Sequence, residues 1–199
     1  MSEQYHYIDP DYTYTDPKTG VLRNLANATD YDTLVFIESG AVAKRISELE
    51  TNPIKIKNSA ALLVIHKHLF QDIYLWAGEL RTVEISKGGK PFFPLSYFHR
   101  ALPFIDSLIS EFRKIDRNDK SQLAHKLAEI LDHINFLHPF REGNGRTQRE
   151  FLRMLALTKG LKLNLNPPDD ADVYERYMSG TITGNTELLA ALILEIITK

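Results

Sequence analysis

Between two apolar stripes of helical spacing the chain carries twelve residues that cannot be helical throughout. They read His138-Pro139-Phe140-Arg141-Glu142-Gly143-Asn144-Gly145-Arg146-Thr147-Gln148-Arg149. Leu123, Leu127, Ile130, Leu131 and Ile134 precede the stretch at spacings of three and four, and Phe151, Leu152, Leu155 and Leu157 follow it. Pro139 disfavours helical geometry at the residue before it, so one helix must end near Leu137. The next begins near Gly145, which puts the loop at a helix N-terminus. Free backbone N–H groups point there, and the helix dipole favours an anion. Gly143 and Gly145 lack Cβ atoms, so the main chain can take unusual φ values and phosphate oxygens can approach it closely.

The side chains of this stretch extend the same reading. Glu142 offers oxygen ligands to Mg²⁺, a hard cation that bridges carboxylate and phosphates. Arg146 and Arg149 lie three apart, on one face of the first helical turn, where two guanidinium groups can hold the β- and γ-phosphates of a nucleotide. His138 is the one side chain of the cluster that is neutral near pH 7 and still accepts a proton, which makes it the candidate general base. The plainer reading, a histidine closing a helix before a proline, leaves Glu142, the glycine pair and both arginines without a reason. His6, His66, His68, His99, His125 and His133 have no such company and are assigned surface or core roles. His66 and His68 fall on different faces of a helix and form no metal pair.

The rest of the chain is mostly helical in period. The spacing predicts helices from about Asp30 to Leu49 and from Asn58 or Ser59 through the stripe Leu62, Ile65, Leu69, Ile73 and Trp76, with Gly78 as its stop. Ala101, Ile105, Leu108, Ile109 and Phe112 define another. Gly160 caps the helix that follows the twelve residues, and a last one spans Leu188 to Ile197. One stretch breaks the rhythm: 82–86 and 91–93 flank Lys87-Gly88-Gly89-Lys90, a small β-hairpin turning at the two glycines. Its outer edge would offer unpaired backbone groups to an extended segment of another protein. Residues 1–28, rich in Tyr, Asp and Pro without a period, read as an extended arm on the surface of a domain spanning 29–199. No internal repeat interrupts this order.

Composition excludes several classes. A chain of 199 residues, 43% hydrophobic and 25% charged, suits one globular domain. A net charge of −2 gives no basic field for nucleic acid. With no cysteine there is no disulfide, zinc-thiolate site or thiol nucleophile. No run approaches the roughly 18 apolar residues of a membrane span, and the start, Met-Ser-Glu-Gln-Tyr-His-Tyr, is not that of a signal peptide. A cytoplasmic location is the resulting expectation.

Residues 138–149 match His-Pro-Phe-x-[Asp/Glu]-Gly-Asn-Gly-Arg-x-x-Arg at every specified position, and the chain therefore resembles Fic-domain enzymes. Ile65 to Arg81 is similar to the Ile-His-x-x-Leu-Phe-x-x-[Ile/Val]-Tyr-x-Trp-Ala-Gly-x-x-Arg segment of that family, where a packing role is expected. Tyr14 to Leu25 resembles the N-terminal arm of bacterial Fic toxins and secreted Fic effector domains, and Thr183 to Leu189 the segment that holds adenosine, with Asn185 the expected contact. The resemblance implies an all-α Fic-type helical bundle with a β-hairpin flap beside the active site. It implies transfer of AMP from ATP to a Ser, Thr or Tyr hydroxyl of a target protein, with Mg²⁺. Gly143, Asn144, Gly145, Arg146 and Arg149 would hold the nucleotide, and the flap residues Ser86, Lys87, Gly88, Gly89, Phe92 and Phe93 the target.

Phosphate-transferring members of the Doc type carry Lys where this chain has Gly145, which argues against kinase chemistry. Transfer of another nucleotide or of phosphocholine, or a nucleotide-binding interaction module without turnover, stands as the alternative. The family's inhibitory signature, [Ser/Thr]-x-x-x-Glu-[Gly/Asn], is incomplete in this sequence: Ser107 to Glu111 and Thr183 to Glu187 have the spacing, but Phe112 and Leu188 follow. With the sequence ending at Lys199, directly after the last helix, the expectation is inhibition in trans by a small antitoxin-like protein whose glutamate meets Arg149. The alternative is a secreted effector acting in a host cytosol.

Overall fold

A computed structural model describes residues 6–7 and 9–199. Among them the chain forms seven α-helices and one small sheet: β1 (His6–Tyr7), α1 (Tyr31–Thr51), α2 (Ala61–Phe70), β2 (Ile85–Lys87), β3 (Lys90–Pro91), α3 (Phe98–Lys114), α4 (Lys120–Leu137), α5 (Asn144–Leu157), α6 (Ala171–Thr183) and α7 (Thr186–Ile196). The architecture is an all-α bundle with a β-hairpin, as expected.

Local chemistry places the helix starts. Asp30, Asp119 and Asn185 each accept a hydrogen bond from the backbone N–H three residues on, at 2.9, 3.0 and 3.0 Å, satisfying one of the donors a helix N-terminus leaves over. α4 is the central element, packed against α3, α5 and α7. Its buried positions, from Leu123 through Ile130 and Leu131 to Leu137, include every residue of the stripe that predicts it. α5 packs on α4 and α2, and α2 in turn on α1, so the loop between α4 and α5 is enclosed by four helices.

Three expectations need correction. The stripe from Leu62 to Trp76 is not one helix: α2 ends at Phe70, and consecutive turns (Ile73 and Tyr74 N–H to Phe70 C=O, Ala77 N–H to Tyr74 C=O) keep the spacing while bending the axis. α6 goes unread because only Val173 and Tyr177 give it a strong apolar face. The arm is not purely superficial. Asp9 accepts from the N–H groups of Thr13, Tyr14 and Thr15, and Tyr14 is driven into the core, edge-on to Trp76 at 5.4 Å, with its hydroxyl accepting from the Thr82 N–H at 3.0 Å.

The hairpin turns at Gly88 and Gly89, both at positive φ (56° and 75°), the geometry that favours glycine pairs in two-residue turns. It is one part of a three-stranded antiparallel sheet of order β1-β2-β3, in which His6 and Tyr7 pair with Ser86 and Ile85. The edge expected to be open on β2 is therefore covered by the chain's own N-terminal strand. The other edge has no donors to offer: Pro91 has no N–H, and that of Phe93 goes to the Phe136 carbonyl of α4 at 3.0 Å.

Candidate active site

α4 stops at His138, whose φ of 45° puts it in the left-handed region and turns the chain into the loop. A non-glycine residue held there is strained, and strain of this kind gathers at functional sites. The imidazole is 5% exposed. Its Nδ1 lies 2.9 Å from the Asn135 carbonyl, which can only accept, so Nδ1 carries the proton and Nε2 is the unprotonated, accepting nitrogen. Burial, with the nearby Arg81 and Lys87 charges adding to it, drives the pKa of His138 down to about 3, so the ring is neutral at physiological pH. The Phe92 ring of the flap stacks on it, centroids 3.7 Å apart.

The loop that follows is tied shut from inside. The Asn144 side chain accepts from the Phe140 N–H (2.9 Å) and donates to the Phe140 carbonyl (2.7 Å), so its amide faces into the loop and only its backbone N–H is left for a ligand. Of the two glycines, only Gly143 has unusual geometry, φ 79°. A Cβ there would lie 2.3 Å from the Phe70 ring. Gly145 is ordinary helix, where a Cβ would meet Arg149 Nη1 at 3.4 Å, an ordinary contact. The first intrahelical bond of α5 is Thr147 N–H to Gly143 C=O, so the N–H groups of Asn144, Gly145 and Arg146 precede the ladder and lack a carbonyl one turn back.

The two arginines play different parts. Arg146 is enclosed between carboxylates: Nη1 is 2.5 Å from Glu38 Oε1, Nη2 is 3.6 Å from Glu142 Oε1, and its Cζ lies 4.7 Å above the Phe70 ring. Arg146 and Arg149, expected as a pair for phosphates, thus have different neighbours. Arg149 has no carboxylate partner among the described residues and lies 5.4 Å from the ring centroids of both Tyr174 and Tyr177 on α6. Glu142 accepts from the Gly143 N–H at 2.8 Å, and burial pushes its pKa above the usual carboxylate value. Asn185 caps α7 through its side-chain oxygen, which leaves its NH₂ group as the part able to meet a ligand.

Two residues whose spacing suggests packing alone turn out to hold the site. His66 Nδ1 accepts from the Gly78 N–H (2.7 Å), so the proton is on Nε2, which donates to the Glu142 carbonyl (3.0 Å). Arg81 is fully buried and fans out to three carbonyls: His138 (2.9 Å), Val83 (2.7 Å) and Phe93 (2.5 Å). One guanidinium thus joins both sides of the flap to the residue that carries the base. Along one wall, α6 adds Tyr174 and Tyr177.

A search of family models matches residues 57–156 to the Fic/DOC family. The chain belongs to the Fic/DOC family. This Fic/DOC chain is 33% identical over 187 residues to the protein adenylyltransferase VbhT of Bartonella schoenbuchensis, covering 94% of itself and 39% of that longer protein. With y4lH of Sinorhizobium fredii, named a "probable protein adenylyltransferase", it shares 34% over 184 residues, 90% of itself and 93% of the relative. Among solved structures, the N-terminal Fic domain of a Bep effector from Bartonella sp. AR 15-3 superposes with a TM-score of 0.85 at 21% identity, over 97% of this chain and 95% of that one. BepC of Bartonella tribocorum, solved with AMPPNP bound, gives 0.82 at 20% identity over 94% and 97%. At these identities the structures establish the Fic fold. No helix among the described residues is long and apolar enough to cross a membrane.

The buried Fic histidines make a pH prediction. His66 and His138 both fall to about 3, chiefly through burial, whereas an unfolded chain protonates histidine near 6.5. Folded-state values below the unfolded one mean that the unfolded state binds more protons between about pH 6.5 and 3, so stability falls with pH across that window. The slope approaches two protons, about 3 kcal/mol per pH unit, less what Glu142 with its raised pKa takes up in the folded state. Urea denaturation at pH 7 and pH 5 checks it. Unchanged stability at pH 5 contradicts the two neutral imidazoles.

Proposed function

We propose that this Fic/DOC chain transfers AMP from ATP to a hydroxyl of a target protein, acting as a toxin or effector. The observation that carries the reading is the pairing of an oriented base with a cradle for anions. His138 presents an unprotonated Nε2, oriented by the Nδ1–H bond to Asn135, in the loop that leads to the N-terminus of α5. Nε2 takes the proton of a Ser, Thr or Tyr hydroxyl, the oxygen attacks the α-phosphorus, and the bond to the β-phosphate oxygen breaks to release pyrophosphate. The α5 N–H groups and Arg149 hold the phosphates, so that catalysis is positioning and charge stabilisation.

The donor set suits Mg²⁺: one partly buried carboxylate, Glu142, with no cluster of three acidic or histidine ligands among the described residues. That is the sparse arrangement of a cation held mostly by substrate phosphates. Bound Mg²⁺ would neutralise charge on those phosphates, and Glu142 is the residue that would hold it.

The flap reading gains detail. Phe92 lies over the base and Phe93 packs edge-on against Phe136 at 5.5 Å, so the two anchor the flap, while Ser86 and Lys87 of β2 and the Gly88-Gly89 turn are its docking side. A target that docks as a strand takes the β2 edge by displacing β1. Deleting residues 1–8 is therefore expected to lower the KM for a target about tenfold, the equivalent of one or two hydrogen bonds, with the KM for ATP unchanged. An unchanged target KM contradicts docking on that edge.

Regulation in trans by an antitoxin-like protein is supported by Arg149, which lacks a carboxylate partner among the described residues. Of the two internal candidates, Glu111 pairs with Lys126 at 2.7 Å and the exposed Glu187 lies beside His125 at 3.5 Å. Incubating the purified chain with a bacterial lysate and labelled ATP, followed by mass spectrometry of labelled proteins, tests the function. AMP on a protein side chain is the expected product, whereas nucleotide binding without any adduct leaves a binding module.

A further inference from the structure

Glu38 lies on α1, 108 residues before its partner Arg146 in the chain, yet its side chain is only 9% exposed and ends inside the site just described. Both carboxylate oxygens are used. Oε1 meets Arg146 Nη1 at 2.5 Å, and Oε2 accepts a short hydrogen bond from the Tyr74 hydroxyl. Tyr74 cannot swing away, since it is buried and stacked on Trp76 at 4.2 Å and 15°. The Arg146 guanidinium is thus fixed end-on by Glu38 and face-on by Phe70, at 4.7 Å.

What this does to Glu142 follows from the distances. Arg146 has two carboxylates within reach, one in direct contact and the other 3.6 Å away. A guanidinium is a strong bidentate partner for a carboxylate. Were Glu38 not holding it, the nearest remaining acceptor for Arg146 is Glu142, and a guanidinium closed onto that carboxylate would occupy its oxygens and repel a divalent cation. Gly143 already occupies part of Oε1 through its N–H, so little capacity is left to lose.

We propose that Glu38 is a positioning residue: it holds Arg146 back from Glu142 and so keeps the Glu142 carboxylate open to the divalent cation. The inference rests on the reading of Glu142 as the metal carboxylate of a nucleotidyl-transfer site. It assigns Arg146 to organising that carboxylate and leaves the phosphate charge to Arg149 and the α5 N–H groups.

The test uses Mn²⁺ as the probe, its binding followed by electron paramagnetic resonance in the presence of ADP, together with the Mg²⁺ dependence of AMP transfer. Glu38→Gln is expected to weaken Mn²⁺ binding about tenfold, the scale of one charge-assisted contact, and to shift the Mg²⁺ midpoint alike. At saturating Mg²⁺ kcat recovers. In an Arg146→Met background, with no guanidinium to restrain, the same Glu38→Gln change is expected to leave Mn²⁺ binding unaltered. Should Glu38→Gln not fold, Glu38→Asp, which keeps the charge but withdraws it by one methylene, must show a smaller shift in the same direction. The proposal is overturned by wild-type Mn²⁺ affinity in the variant, by a kcat loss that Mg²⁺ does not restore, or by an equal loss in the Arg146→Met background. Wild-type protein that binds Mn²⁺ but transfers no AMP contradicts the proposed function alone, and the Mn²⁺ affinities then decide on Glu38.

Discussion

His138→Ala is expected to lower the rate of AMP transfer by about 10² to 10⁴, the usual contribution of a positioned base, while the affinity for ATP stays within about twofold. The separation is geometric. The imidazole belongs to the end of α4 and is oriented from behind by Asn135, whereas the phosphate donors belong to the first turn of α5. Removing the ring leaves the loop's own ties, Asn144 to Phe140 and His66 to Glu142, in place. Single-turnover labelling of a target measures the rate and calorimetric titration with ATP the affinity. Labelling by the variant at the wild-type rate contradicts the mechanism, and parallel loss of ATP binding contradicts the division between base and cradle.

Gly143→Ala is expected to be the most damaging single-methyl change in the site. Two costs coincide. A φ of 79° is unfavourable for alanine, and the added Cβ would lie 2.3, 2.4 and 3.0 Å from three carbons of the Phe70 ring. Phe70 has no free space to move into, being fully buried beside His66 (4.7 Å) and under Arg146. Left-handed strain of about 1–2 kcal/mol and overpacking of about 1–3 kcal/mol together predict a loss of about 2–5 kcal/mol. The relief available to the chain is to push the loop outward, and a displacement near 1 Å costs about 10² in rate. Gly145→Ala is the contrast: ordinary helical φ, nearest contact 3.4 Å to Arg149, and a helix position where alanine is the better residue by about 1 kcal/mol. Urea denaturation of both variants, with labelling rates alongside, checks the pair. Equal stabilities contradict the packing argument.

What the sequence could show was what is local. The apolar period locates α1, α3, α4, α5 and α7, because each buries a stripe against the bundle. The cluster from His138 to Arg149 is continuous in the chain and so readable as chemistry. The supports of that cluster are not local. Glu38, His66 and Arg81 reach it across 57 to 108 residues of chain, Tyr74 braces Glu38 across 36, and each stands where a lone polar residue looks like any other. The same limit applies to β1, two residues whose pairing is decided by β2 far along the chain. It applies to α6 too, whose Tyr174 and Tyr177 face Arg149. Arg146 is a related case: spacing puts it beside Arg149, and only tertiary packing brings Glu38 to it.

The central claim is that the α-phosphoryl group with its nucleoside passes to a protein hydroxyl. The direct measurement is the purified chain incubated with a lysate and Mg²⁺, in parallel with ATP labelled at the α-phosphorus and ATP labelled at the γ-phosphorus. The expected result is protein-bound label from the α-labelled ATP alone, lost in His138→Ala. Protein-bound label from the γ-labelled ATP means phosphoryl transfer and contradicts the account.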